Sequence, residues 1–145
     1  MPARILRVAK LHQGMKLHPH NLIKESHMGH LSTHVLDTMH GCPAAGMGVV
    51  LQRIEHGQPV TLRTLTLNHD GRCDGGPLLD AAAMAAGPYR LLFAVATYFR
   101  ARGVVLPEPA FLDTVQIDFG IADAQAHYHV PLLVSPWSYS TYRGS

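Results

Sequence analysis

From Leu31 onward, Gly, Pro, Asn and Asp recur at short intervals and cut the chain into short segments, several of which alternate apolar and polar residues. Successive side chains of a strand point to opposite faces, so this pattern makes strands with one buried and one wet face. Many such strands between turns build an all-β sandwich. Residues 31–37 alternate and end at the turn His40-Gly41-Cys42-Pro43; 48–54 form a strand, 55–59 turn, and 60–67 alternate with one face buried and the other wet. Asn68-His69-Asp70-Gly71 is a strong turn signal that puts Arg72 at the mouth of a turn, free to project. After the Gly87-Pro88 break, 89–95 has the β-branched and aromatic character of a strand. Residues 96–102 lose the alternation and close on Gly103, as a short helix does. Strands over about 114–121 and 127–135, with a short one near Tyr139, complete the sheets, and Pro131 and Pro136 mark edges or strand ends.

A chain of 145 residues is long enough for one core and too short for two. Its 47% apolar and 15% charged content excludes a disordered chain and a charged tail that would grip nucleic acid. No run of about 18 apolar residues is present, and the N-terminus lacks the apolar region of a secretory signal, so a cytosolic protein without membrane contact is expected. The two cysteines, Cys42 and Cys73, have neither metal-knuckle nor redox spacing and are expected as reduced thiols.

Residues 1–27 differ from the rest. They hold all three lysines, and carry five basic residues against one acid, whereas 28–145 hold seven arginines and nine acids. A basic leader suits a transit peptide, but only one serine, Ser26, lies in it. A translation start at Met28 explains it better, since Lys24-Glu25 is encodable as AAG-GAG, a ribosome-binding sequence, with Ser26-His27 as spacer. Residues 1–27 are therefore expected to be poorly ordered and without function, and 28–145 to be the domain. Intact mass of the native protein tests the start: a species beginning at Met1 or Pro2 overturns it.

The chemistry gathers in the C-terminal block, His127-Tyr-His-Val-Pro-Leu-Leu-Val-Ser135 through Tyr142-Arg-Gly-Ser145. On a strand His127 and His129 share a face and Tyr128 points away. The specified terminal residues, with no polar tail after them, are expected to belong to a site. Taken singly, His34 in mid-strand reads as a hydrogen-bonded core or edge histidine, and Arg72 as a solvated turn residue. Taken with His127 and His129, His34 would complete a zinc site of three imidazoles and one open position. The alternative is metal-free: a neutral imidazole takes a proton from water, and a guanidinium forks onto carbonyl or anionic oxygens. These groups suit hydrolysis of an amide-like bond in a planar heterocycle. The lack of a G-x-S-x-G elbow points to activated water as the nucleophile.

Four separated blocks, Leu31-Ser-Thr-His-Val-Leu-Asp-Thr38 with Gly41-Cys-Pro-Ala-Ala45, Asp70-Gly-Arg-Cys73, His127-Tyr-His-Val-Pro-Leu-Leu133 and Tyr142-Arg-Gly-Ser145, together resemble the 5-hydroxyisourate hydrolases of the transthyretin-related family. The resemblance covers about residues 31–145. It implies a transthyretin-like sandwich of two four-stranded sheets with one short helix. It also implies a homotetramer built from two dimers, with active sites in the channel where the dimers meet. The implied reaction is hydrolysis of 5-hydroxyisourate to 2-oxo-4-hydroxy-4-carboxy-5-ureidoimidazoline in urate degradation, with no cofactor and no metal. By position, His34, Arg72 and His129 would be catalytic, and His34, Arg72, Tyr142 and Ser145 would contact substrate. Two rivals remain: a transthyretin-like small-molecule carrier on the same fold, and a metal-binding protein using His34, His127 and His129.

Overall fold

The computed structural model describes residues 28–145. The expected leader, residues 1–27, lies outside the described residues. In chain order the elements are β1 (His30–Asp37), β2 (Cys42–Pro43), β3 (Gly48–Glu55), β4 (Gln58–Thr66), β5 (Gly87–Ala94), α1 (Val95–Ala101), β6 (Thr114–Ile121), β7 (His127–Val134) and β8 (Tyr139–Thr141). They form two four-stranded sheets, as the resemblance implies, in the orders β2-β1-β7-β8 and β4-β3-β5-β6. Pairing is antiparallel except between β1 and β7, which run parallel. Among the described residues, no helix is long and apolar enough to cross a membrane, and both cysteines are unpaired.

The core lies between the sheets and is filled by the alternate residues that the sequence pattern marks. Leu31 and Val35 of β1 and Tyr128, Val130, Leu132 and Val134 of β7 face Val49 and Leu51 of β3, Tyr89, Leu91 and Phe93 of β5, and Val115 and Ile117 of β6. Burying one large apolar side chain of this kind contributes about 1.5–3 kcal/mol. α1 follows β5 directly and buries Val95, Tyr98 and Phe99. It begins one residue before the expected helix, and Gly103 at φ +86° ends it, its N–H bonding the carbonyl of Arg100.

Three local features depart from the sequence reading. Pro131, expected at an edge or strand end, lies within β7, an inner strand of its sheet. Cys42–Pro43 form a two-residue strand on the edge of β1, where only a turn is expected. A two-residue strand has no periodicity to reveal it. In β4 the expected buried face is broken: Val60 and Leu62 are each 40% exposed. The register opposes Leu51 to Arg63 but Gln52 to Thr61, which leaves Leu62 as the extra residue of a β-bulge. The sequence carries the slip, because the apolar positions 60 and 62 change phase to 65 and 67. Arg63 then turns to the edge and donates to the carbonyls of Pro77 and Leu78, both at 3.2 Å.

At the end of β1, Asp37 is fully buried. It accepts from the His40 N–H at 2.9 Å, from His40 Nδ1 at 2.6 Å and from the Tyr98 hydroxyl at 2.7 Å, which ties α1 to β1. Burial pushes this carboxyl up, but the three donors outweigh burial and hold it below the ordinary 3.8. A depressed carboxylate stabilises the fold above its unfolded pKa and stops doing so as pH falls through the folded value. Tyr98→Phe is therefore expected to cost about 1–3 kcal/mol at neutral pH and less in acid, below the carboxylate range. Chemical denaturation at a series of pH values checks this, and a penalty that grows on acidification would contradict it.

Candidate active site

The outer face of the β2-β1-β7-β8 sheet carries the chemistry. Alternation sends Leu31, Thr33, Val35 and Asp37 inward and leaves His30, Ser32 and His34 on the outside. On β7, Tyr128 goes inward and His127 and His129 outward, as the i, i+2 spacing predicts. The parallel register sets His30 beside His127, Ser32 beside His129 and His34 beside Pro131, so His34 lies diagonally one step beyond His129.

Arg72 reaches this face through its turn. Asn68 Oδ1 accepts from the N–H groups of Asp70 and Arg72 at 2.9 and 3.0 Å, and the Asn68 N–H donates to the Arg72 carbonyl. The turn docks on β1 through Val35 N–H to Gly71 O at 3.0 Å, next in sequence to His34. Glycine is required there: φ is +69°, and a Cβ would stand 2.5 Å from the Val35 carbonyl oxygen. Arg72 is exposed, as a projecting residue should be.

The terminal block closes the other side. His129 and Gly144 exchange two main-chain hydrogen bonds, 3.1 and 2.7 Å. Gly144 packs so closely on the His129 ring that a Cβ would lie 3.0 Å from His129 Cβ and 3.1 Å from Cδ2. Arg143 is turned to the opposite side, with its guanidinium 4.2 Å over the Tyr128 ring and donating to the His127 carbonyl. Tyr142 is 60% exposed, and Ser145 follows Gly144. Neither side chain is hydrogen-bonded to either His34 or His129.

The electrostatics favour neutral imidazoles. Burial first, and then the charge of Arg72, lowers His34 below the ordinary 6.5, against the backbone hydrogen bond and carboxylate of Asp70. His129 is lowered by burial, then by Arg72, His34 and His30. The structure therefore brings His34, Arg72 and His129 within each other's influence.

His127 does not join them. Its Nε2–H donates to the Met28 carbonyl at 2.8 Å and its ring lies 4.0 Å from that of His30. Among the described residues no three His, Cys, Asp or Glu side chains group as metal ligands. The three-imidazole arrangement of His34, His127 and His129 is thus not assembled, because His127 is engaged one register step away. Two residues of the site escaped the sequence reading. Ser32 Oγ is hydrogen-bonded to His129 Nδ1 at 2.8 Å, and its position two before His34 was the available signal. Gly144 gave no signal, since its role is a close approach.

A model of the HIUase/Transthyretin family matches residues 31–144. The chain belongs to that family. Within it, a 5-hydroxyisourate hydrolase of Ralstonia nicotianae is 58% identical over 118 residues, which is 81% of this chain and 100% of the relative. Among solved structures, the Klebsiella pneumoniae 5-hydroxyisourate hydrolase superposes with a TM-score of 0.65 at 38% identity, over 81% of this chain and 94% of that one. An (S)-allantoin synthase superposes with a TM-score of 0.76 at 44% identity; it is longer, and the match spans 81% of this chain and 44% of that one. The family's sandwich accounts for the two sheets and the one helix of the described residues.

Gly144→Ala is expected to push the His129 ring aside and to lower the activity of the site about tenfold or more, since small misplacements of reacting groups are costly. The backbone of Gly144 has no positive φ, so its melting temperature is expected to stay near wild type. Turnover and thermal unfolding, measured together, check both halves.

Proposed function

We propose that this chain hydrolyses 5-hydroxyisourate to 2-oxo-4-hydroxy-4-carboxy-5-ureidoimidazoline, with His34, Arg72 and His129 as its catalytic residues. The observation that carries the reading is the placing of His34 and His129 on the outer face of one sheet, both held below the ordinary imidazole value by burial and by the nearby charge of Arg72. The relatives' activity supports the substrate. The imidazoles orient and deprotonate a water, which attacks a ring carbonyl. Arg72 holds the substrate oxygens and stabilises the developing oxyanion, a role worth about 2.7–4 kcal/mol per donor where measured. The carbonyl carbon gains the water oxygen, the ring C–N bond breaks, and the released nitrogen takes the proton. Tyr142 and Ser145, flanking Gly144, would contact the substrate.

The same proposal includes a homotetramer of two dimers with the site at the dimer–dimer interface. Exposed aromatic surface supports association: Trp137, Tyr139 and Tyr142 are exposed, and β6 and β8 are sheet edges. Light scattering tests the stoichiometry.

The activity is tested by generating 5-hydroxyisourate with uricase and following its absorbance decay with and without the protein, in chelator. Faster decay is expected. Unchanged decay from a folded protein would favour the small-molecule carrier, and loss of activity in chelator a metal-dependent reaction. Arg72→Ala and His129→Ala should each lower turnover about a hundredfold or more without unfolding the assembly; near-normal rates would refute their roles. Both imidazoles are held below 6.5, so the active neutral forms are filled at about pH 7. The rate should be flat above that and fall only on the acid side of 6.5. A decline beginning well above neutrality would contradict neutral imidazoles as the working groups.

A further inference from the structure

Arg72 is exposed, and its side chain has no hydrogen bond or ion pair among the described residues. No polar contact aims the guanidinium, so its reach is set by the main chain from which it springs. One side chain organises that main chain. Asn68 Oδ1 accepts from two backbone N–H groups, those of Asp70 and Arg72, at 2.9 and 3.0 Å. A backbone N–H only donates, so the amide cannot be turned over, and Nδ2 is the end that donates to Asp74 Oδ1 at 3.0 Å. The Asn68 main chain adds two bonds of 2.9 Å, its N–H to the Arg72 carbonyl and its carbonyl from the Gly71 N–H. The turn is anchored in the core on both sides, by Leu67 before Asn68 and by Cys73 after Arg72. Both ends of the Asn68 amide are thus spent inside the turn, and what the residue does for the site it does through Arg72.

We propose that Asn68 is a positioning residue for Arg72, held in place by Asp74: its carboxamide fixes the Arg72 main chain, and with it the reach of the guanidinium toward the face that carries His34 and His129. The Gly71 contact with β1 sets where the turn docks, and Asn68 sets the direction in which Arg72 leaves it. The consequence for substrate rests on the hydrolase reading above, but the placement of the guanidinium beside the two imidazoles does not.

Asn68→Ala removes the three side-chain bonds and changes no charge. The two imidazoles report where the guanidinium stands, because burial and then Arg72 lower both; Asp70 opposes this at His34, and His34 and His30 add to it at His129. Their titration is followed by NMR of the ring C–H signals of the full chain without substrate, each identified by its loss in His34→Ala or His129→Ala. In Asn68→Ala both midpoints are expected to rise toward the ordinary 6.5, in the direction that Arg72→Ala moves them. With 5-hydroxyisourate, kcat/KM is expected to fall about tenfold. Asn68→Asp combined with Asp74→Asn keeps the net charge and both backbone bonds, reverses the side-chain bond, and is expected to recover midpoints and rate. Midpoints that stay put in Asn68→Ala overturn the proposal, even with a loss of rate, since the role is then merely structural. An unchanged kcat/KM overturns it as well, and failure of the paired exchange to recover either quantity removes Asp74 from it. Midpoints that move and recover in a protein that does not hydrolyse 5-hydroxyisourate would keep the placement of Arg72 and sink the hydrolase reading.

Discussion

The parallel pairing of β1 with β7 is the constraint on which the rest of the site depends. It joins segments 97 residues apart and runs in unbroken register from His30 beside His127 to Asp37 beside Val134. A slip of one residue in β7 against β1 would turn Tyr128 and Leu132 to the outside and bury His127 and His129. The core therefore enforces the site: the apolar set on one face of each strand leaves Ser32, His34 and His129 together on the other. Thr33, between Ser32 and His34, reinforces the pairing from inside by donating to the Val130 carbonyl at 2.8 Å.

The opposite edge of β1 is filled by short pieces of chain. Ala44 N–H bonds the Val35 carbonyl, Val35 N–H bonds Gly71, and Leu31 pairs with Leu78 and Leu79. Each satisfies backbone groups that a buried strand could not leave open. The Gly71 contact also delivers Arg72 to the site, so one docking interaction serves stability and function together. Asp37 completes the arrangement at the strand end, where Tyr98 and His40 fix the helix and the following turn to β1.

In the proposed reaction the site works by keeping its imidazoles uncharged. Partial burial and a nearby guanidinium both disfavour imidazolium, and the same guanidinium is available to an anionic transition state. In the proposed reaction one side chain would do two jobs, lowering both imidazoles and binding the charge that develops on the substrate. The terminal Gly144 contributes without a side chain, because its bare Cα lets the main chain lie against His129.

How much of this was legible follows from the range of each interaction. Alternation is local, so the sequence by itself determined the strands, the one helix of the described residues, the inward and outward sets on β1 and β7, and the histidine, arginine and terminal residues worth attention. The phase slip near Leu62 was also written there, although it became meaningful only as a bulge against β3. The tertiary structure alone decided which strands pair, that Asp37 is buried with its partners, that Cys42–Pro43 close an edge, and that His127 turns to Met28 while His129 stays with the site. Those outcomes depend on contacts between distant segments and on approaches of a few ångströms, and no periodicity within one segment encodes them.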